Sequence, residues 1–149
     1  PVNSPKNLLI YIFRTFQAGC NTSLDAMLAW KQFHKNAQIS SSALLGANAW
    51  CINNKNGKDN IIIRERVICR GLLRVENLSK GQLIINSDVY IGDNTLISCV
   101  ESIEIGSMTM IAHGVQIFDN DSHPVDSQER ELDYLIITNQ KLGNRPKIN

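Results

Sequence analysis

One short segment of the chain concentrates the side chains that could do chemistry. Residues 117–126 read Ile-Phe-Asp-Asn-Asp-Ser-His-Pro-Val-Asp and place His123 among aspartates. Histidine ionises close to neutral pH, with an unperturbed pKa of about 6.5, so it suits proton transfer from a hydroxyl group. Asp121 could orient the imidazole ring or contact a substrate, although a backbone carbonyl could orient the ring equally well. His123 is therefore a candidate general base. The alternative is a purely structural role, which is the commoner one for a single histidine.

The same segment could instead bind a metal ion. Asp119 and Asp121 resemble the start of a calcium loop. Such a loop needs Gly at its sixth position and Glu at its twelfth, where this chain has Pro124 and Arg130. A zinc site of the carbonic anhydrase type needs three histidines. The chain has three in all, of which the first lies outside the repeated part: His34, His113 and His123. We expect no metal site.

A six-residue repeat precedes this segment and must position it. Aliphatic residues or cysteine recur every six positions in four sets: Ile39, Leu45 and Cys51; Ile63, Cys69 and Val75; Ile85, Ile91, Ile97 and Ile103; Ile105, Ile111 and Ile117. Each hexad can form a short strand with one inward aliphatic side chain, followed by a corner of small residues. Three hexads would close one turn, and stacked turns would bury a continuous aliphatic column. A β-sandwich would show a period of two instead, so we predict a parallel β-helix with a triangular cross-section.

The chain before residue 39 lacks the repeat. Apolar residues from Leu24 to Phe33 follow helical spacing and predict a helix that docks through this stripe, with Thr22 or Ser23 as N-cap. Leu8 to Phe16 could form a shorter helix. We therefore divide the chain into an N-terminal helical segment (1–38), β-helix coils (39–118) and a loop that carries His123 and begins to return to the coils (119–149).

The repeats resemble those of a known family. Ile91-Gly92-Asp93-Asn94-Thr95-Leu96-Ile97 is similar to the I-G-x-N-x-x-I signature of the hexapeptide-repeat acyltransferases, which fold as left-handed parallel β-helices. The string around His123, with the following Pro124-Val125, resembles the loop that presents the catalytic histidine in sugar O-acetyltransferases of the maltose, galactoside and nodulation-factor type. Glu129 and Arg130 resemble the continuation in polysaccharide-type members. The left-handedness follows from this resemblance alone.

The resemblance implies a function. The donor would be acetyl-CoA or another acyl-CoA, the acceptor a hydroxyl of a sugar in a surface polysaccharide or lipopolysaccharide, and His123 the general base. Asn94 would bind the acceptor, and a homotrimer would place the active site between subunits. The stretch from Val125 to Gly143 would be a loop, and Arg145-Pro146 would open the return to further coils that hold much of the CoA. The alternative is a non-catalytic β-helix scaffold or a domain associated with a sugar-nucleotide enzyme.

Composition and charge narrow the class of protein and its partners. The 149 residues are 43% hydrophobic with a net charge of +1, which excludes a disordered chain and a general nucleic-acid binder. Residues 55–80 are basic and residues 81–133 acidic, which predicts a phosphate-binding stripe or a solvated face opposite an oligomer neighbour. The apolar run from Leu8 to Phe13 falls far short of the roughly 20 residues of a membrane span. The four cysteines form no CxxC pair, so we expect buried free thiols and a cytoplasmic location.

Overall fold

The computed structural model describes residues 23–55, 57–76 and 81–146. Within these residues the chain forms two helices, α1 (Ser23–Asn36) and α2 (Ser127–Ile137). The strands, in chain order, are β1 Gln38–Ile39, β2 Leu44–Leu45, β3 Trp50–Asn53, β4 Ile61–Ile63, β5 Ile68–Cys69, β6 Leu72–Val75, β7 Gln82–Ile85, β8 Tyr90–Ile91, β9 Leu96–Cys99, β10 Ser102–Ile105, β11 Met110–Ile111 and β12 Gln116–Phe118. The predicted helix over Leu8 to Phe16 and the predicted N-cap side chains lie outside the described residues. Neither helix of the described part is long and apolar enough to cross a membrane.

Every third strand belongs to the same sheet. The described strands form three parallel sheets of four strands each, ordered β1-β4-β7-β10, β2-β5-β8-β11 and β3-β6-β9-β12. From β1 the chain returns to the first sheet three times, so the fold is a parallel β-solenoid of about three turns. The pairing is in register, and Leu73, for example, lies between Cys51 and Ile97 on adjacent turns. The prediction of a mainly β, parallel solenoid is confirmed, and the sandwich alternative is wrong.

The interior of the solenoid contains most of the residues that the hexads predicted, together with Ile61, Leu73 and Leu83, which they did not. Eight of the predicted residues are almost completely buried: Leu45, Cys51, Ile63, Cys69, Val75, Ile85, Ile91 and Ile97. Burying one such aliphatic side chain contributes about 1.5–3 kcal/mol, so the column is the main stabilising feature of the fold. The described cysteines, Cys51, Cys69 and Cys99, are free and buried, as expected. Burial raises the pKa of the Cys51 and Cys69 thiols to about 12, so both stay protonated.

Left-handed backbone at the corners lets the chain turn sharply between sheets. Arg66, Asp88 and Met108, with φ of 55°, 63° and 60°, lie on successive turns between the first and second sheets. Asn94 and Gly114, with φ of 58° and 73°, do the same between the second and third sheets. Glycine and asparagine tolerate this conformation better than other residues. The positive φ of Asn94 is therefore a structural reason for an asparagine at this corner.

The opposite charges of residues 55–80 and 81–133 meet across adjacent turns of the same chain. The Arg66 guanidinium donates to both carboxylate oxygens of Asp88, with distances of 2.6 and 2.7 Å. Arg70 forms an ion pair with Asp93 at 2.9 Å. Both arginines thus pair with the next turn of the same solenoid. The sequence predicted either a phosphate-binding stripe or a face opposite an oligomer neighbour, and neither prediction included this pairing.

Helix α1 closes one end of the solenoid with a face that differs from the predicted one. Its buried side chains include Ala26, Ala29 and Phe33, whereas Leu24, which is 63% exposed, points to solvent, as do Met27 and Leu28 in part. The predicted docking stripe is therefore wrong in its first half and right at Phe33. Small alanine side chains let the helix approach the first turn closely, which explains why they form the buried face.

Candidate active site

The chain leaves the solenoid after β12 through a turn that Asp119 anchors. The Asp119 carboxylate accepts hydrogen bonds from the backbone N–H groups of Val100, Glu101 and Ser102 at 2.7, 2.7 and 2.8 Å. Burial of this carboxylate acts to raise its pKa, but the backbone and side-chain hydrogen bonds that it accepts together outweigh this effect, and the pKa is lowered. These N–H groups lie between Ile97 and Ile105, which are eight positions apart, so that the six-residue spacing is interrupted there. Asp119 therefore has a structural role at the start of the candidate site.

Helix α2 follows this turn and replaces the loop that the sequence analysis expected over residues 125–143. Asp126 caps the helix, because its carboxylate accepts hydrogen bonds from the backbone N–H groups of Gln128 and Glu129 at 2.9 and 3.0 Å. The expectation of a loop is thus wrong for Ser127–Ile137. An aspartate followed by an acidic first turn is a usual signal of a helix start and could have revealed the helix.

The imidazole of His123 is held by a buried carboxylate on α2. Nδ1 of His123 lies 3.0 Å from Oδ2 of Asp133, and the two side chains are 59% and 2% exposed. An ionised carboxylate can only accept a hydrogen bond, so the ring donates from Nδ1, and in the neutral ring Nε2 is then the acceptor. Among the described residues Nε2 has no hydrogen-bond partner. The sequence predicts Asp121 or a backbone carbonyl for this role and gives no signal that points to Asp133.

Arg145 binds the same carboxylate from the other side. Its Nε donates to Oδ1 of Asp133 at 2.6 Å, and its Nη2 donates to Oδ2 at 3.0 Å. The hydrogen bond from Arg145 first, and that from His123 second, lower the pKa of Asp133 to about 2, against the effect of its burial. Asp133 is therefore ionised at neutral pH. From the sequence, Arg145 is predicted only to open the return to the solenoid.

A pocket of about 500 Å³ opens beside the His123 ring. It is lined by Asp121, His123, Val125, Arg130, Asp133, Tyr134 and Ile137. The guanidinium of Arg130 donates to the carbonyls of Pro124 and Val125 at 3.0 and 2.9 Å, which fixes the backbone directly after His123. Two of the predicted residues, His123 and Asp121, thus share one pocket whose lining includes both polar groups and apolar side chains.

Asn94 lies in a different depression. A second pocket of about 520 Å³ is lined by Tyr90, Asp93, Asn94, Met110, Ile111, Ala112 and His113. Within one chain the structure therefore does not bring Asn94 into the pocket of His123. His113 is exposed at this second depression.

Two of the aspartates around His123, Asp119 and Asp126, are engaged in the fold rather than arranged around a common point. Asp119 binds backbone N–H groups and Asp126 caps α2. Within residues 23–55, 57–76 and 81–146, no group of three or more His, Cys, Asp or Glu side chains is placed to hold a metal ion.

Comparisons with known proteins identify no relative of this chain. A scan against protein-family models, a search among curated proteins and a search among solved structures each find no match. The function is therefore argued from the solenoid, the repeat motifs and the geometry around His123.

Proposed function

We propose that this protein is an acyltransferase that moves an acetyl group from acetyl-CoA to a hydroxyl of a sugar, in the modification of a surface polysaccharide or lipopolysaccharide. The solenoid would be the left-handed triangular β-helix of the hexapeptide-repeat family. The observation that carries the proposal is the exposed His123 ring, which lines an open pocket while its Nδ1 is fixed on a buried carboxylate. The repeat around Ile91-Gly92-Asp93-Asn94 supports the same family.

The arrangement suits general-base catalysis at Nε2. As the acceptor oxygen attacks the thioester carbonyl, the hydroxyl proton passes to Nε2 of His123, and a C–O bond forms. The tetrahedral intermediate then collapses, the C–S bond breaks, and the imidazolium returns the proton to the leaving CoA thiolate. Asp133, ionised and fixed by Arg145, stabilises the imidazolium that forms in between. No other proton carrier is needed to balance the reaction.

The pocket lining combines polar and apolar side chains, as the binding of a sugar ring requires. Asp121 can accept hydrogen bonds from hydroxyl groups, and Tyr134 and Ile137 on α2 can cover an apolar face of the ring. Asp121 is thus proposed as an acceptor-binding residue rather than as the group that orients His123.

A homotrimer would complete the site. In the second sheet the outward-facing residues form an in-register apolar column of Leu44, Ile68, Tyr90 and Met110. Met110 is 82% exposed, and exposed apolar patches of this kind mark contact surfaces. If this sheet packs on a neighbour, Asn94 beside Tyr90 would face the pocket of that neighbour and bind its acceptor. The use of acyl-CoA and the buried free thiols both favour the cytoplasm.

The test is an acyl-transfer assay on the full-length chain. CoA release from acetyl-CoA is measured against a panel of sugar acceptors for the wild type and for His123→Asn, with His34→Gln as control. His34 lies on α1, where its Nδ1 contacts the Trp30 carbonyl at 2.9 Å, away from the pocket. Loss of a general base lowers kcat by about 10²–10⁴-fold, whereas the control should retain activity.

Two results would contradict the proposal. If the wild type transfers no acyl group to any acceptor, the non-catalytic scaffold is the better reading. If His123→Asn remains as active as the wild type, the base is assigned to the wrong residue. Light scattering tests the trimer separately, and a monomeric mass would rule out the shared site.

A further inference from the structure

Three separated parts of the chain meet at the carboxylate of Asp133. His123 precedes α2, Asp133 lies on α2, and Arg145 follows it. Oδ1 of Asp133 accepts from Arg145, and Oδ2 accepts from both Arg145 and His123. The position of the chain after α2 is therefore linked to the position of the His123 ring through a single side chain.

We propose that Arg145 is a positioning residue, which acts through Asp133 to fix both the orientation and the tautomer of His123. This inference rests on the proposed function for its catalytic consequence, although the effect on the tautomer is independent of it. It adds to the proposed mechanism a residue that touches neither the substrate nor the imidazole.

The physical basis is the burial of Asp133. Its side chain is only 2% exposed, so removal of Arg145 would leave a buried carboxylate with the His123 ring as its remaining hydrogen-bond partner. A buried charge that loses its partner is strongly destabilised, and a carboxylate in this position relieves the cost by binding a proton. A protonated Asp133 can donate to Nδ1. The neutral ring would then carry its hydrogen on Nε2, which could no longer accept a proton from the acceptor hydroxyl.

The other groups around the pocket do not replace Arg145. Asp121, Arg130 and Tyr134 line the same pocket as Asp133 and His123. The Nε and Nη2 atoms of Arg130 donate to the backbone carbonyls of Pro124 and Val125, so this guanidinium is directed elsewhere. Lysine at position 145 would keep the positive charge but not the paired N–H groups that match both carboxylate oxygens.

The experiment compares Arg145→Ala and Arg145→Lys with the wild type, and uses Arg64→Ala as a matched control. Arg64 is an exposed arginine of the solenoid that donates to the Asn86 side chain. Nitrogen-15 NMR of the histidine rings at pH of about 8, where an unperturbed imidazole is neutral, reads the His123 tautomer without any need for activity. CoA release gives kcat and KM for the same proteins, and circular dichroism confirms that each is folded.

We expect the wild type and Arg64→Ala to carry the hydrogen on Nδ1, and Arg145→Ala to shift it toward Nε2. A misplaced base costs on the order of 10²-fold in kcat, with KM for the acceptor changing much less. Added ethylguanidinium should restore part of the kcat of Arg145→Ala. Arg145→Lys should lie between the alanine variant and the wild type.

A folded Arg145→Ala with the wild-type tautomer and kcat would overturn the inference. If the alanine variant does not fold, Arg145→Gln decides, because glutamine also removes the positive charge, and the wild-type tautomer and kcat in that variant would overturn the inference. A shifted tautomer in a protein whose wild type shows no acyl transfer would support the positioning role and overturn the proposed function instead.

Discussion

Two glycines at the same position of the repeat should respond differently to the same substitution. Gly92 follows Ile91 and Gly106 follows Ile105, but the next turn of the solenoid covers only Gly92. A methyl group on Gly92 would lie 2.6 Å from the backbone nitrogen of His113. A methyl group on Gly106 would meet no atom within 4 Å. Neither glycine has a positive φ, so the comparison isolates the steric effect.

The size of the effect follows from the atoms involved. Because the neighbours of Gly92 are backbone atoms, the covering corner must move by roughly 0.8 Å to restore ordinary contact. That shift strains the hydrogen bond from the Gly92 N–H to the Ile111 carbonyl, now 2.9 Å, and the one from Thr95 Oγ1 to the Ala112 carbonyl, now 2.8 Å. Overpacking of this kind costs about 1–3 kcal/mol.

Urea unfolding followed by circular dichroism gives the free energy of unfolding of both variants. We expect Gly92→Ala to lower it by about 1–3 kcal/mol, and each kcal/mol to lower Tm by about 2–4 °C in a chain of this size. Gly106→Ala should leave stability unchanged or raise it slightly, because alanine restricts the unfolded chain. Equal unfolding free energies for the two variants would refute the argument that the following turn covers Gly92 and not Gly106.

Two further predictions concern the segment around α2. Asp126→Ala removes the N-cap and should lower the stability of α2 by about 0.5–2 kcal/mol. We expect faster hydrogen exchange at the amides of Gln128 and Glu129, while the amides of the solenoid stay protected. Unchanged exchange at these two amides would contradict the role of Asp126 as a cap. Asp119 and Asp133 both have a lowered pKa in the folded state, which is about 2 for Asp133. The stability that these carboxylates contribute is therefore fully present above their ordinary pKa of about 3.9. It is lost as the pH falls through the lower pKa of the folded state. Unfolding measured from pH 7 to pH 2 should therefore show the difference between wild type and Asp119→Asn narrowing below pH of about 4, whereas a constant difference would speak against the carboxylate.

Much of the solenoid could be predicted from the hexads. Ile85, Ile91 and Ile97 are buried as the spacing required, because each inward position depends only on residues close to it along the chain. The helix over residues 23–36 was also predictable, but its buried face was not. Either Leu24 with Leu28 or Ala26 with Ala29 satisfies helical spacing, and only the shape of the solenoid end selects the second pair.

The candidate site was predictable in part. His123 was found from its resemblance to a catalytic loop, and the structure places it beside a pocket with Asp121. Asp133 and Arg145 were not found, because no motif in the sequence analysis linked either of them to His123. Their meeting depends on α2, which carries Asp133 back toward the ring, and on the path of the chain after it.

The local pattern of the chain contains enough information for a parallel solenoid with an aliphatic interior, since a period of six repeats the same strand and corner whatever lies on the adjacent turn. This local pattern does not determine which charged residues pair between adjacent turns. Arg66 meets Asp88 at a separation of 22 residues, although an uninterrupted repeat would bring together residues about 18 apart. The length of each turn, including its inserted residues, decides which charges meet. Only the tertiary structure likewise reveals that a buried aspartate, itself held by an arginine, orients the histidine that the sequence offers as a base, because α2 and the chain after it bring these side chains together.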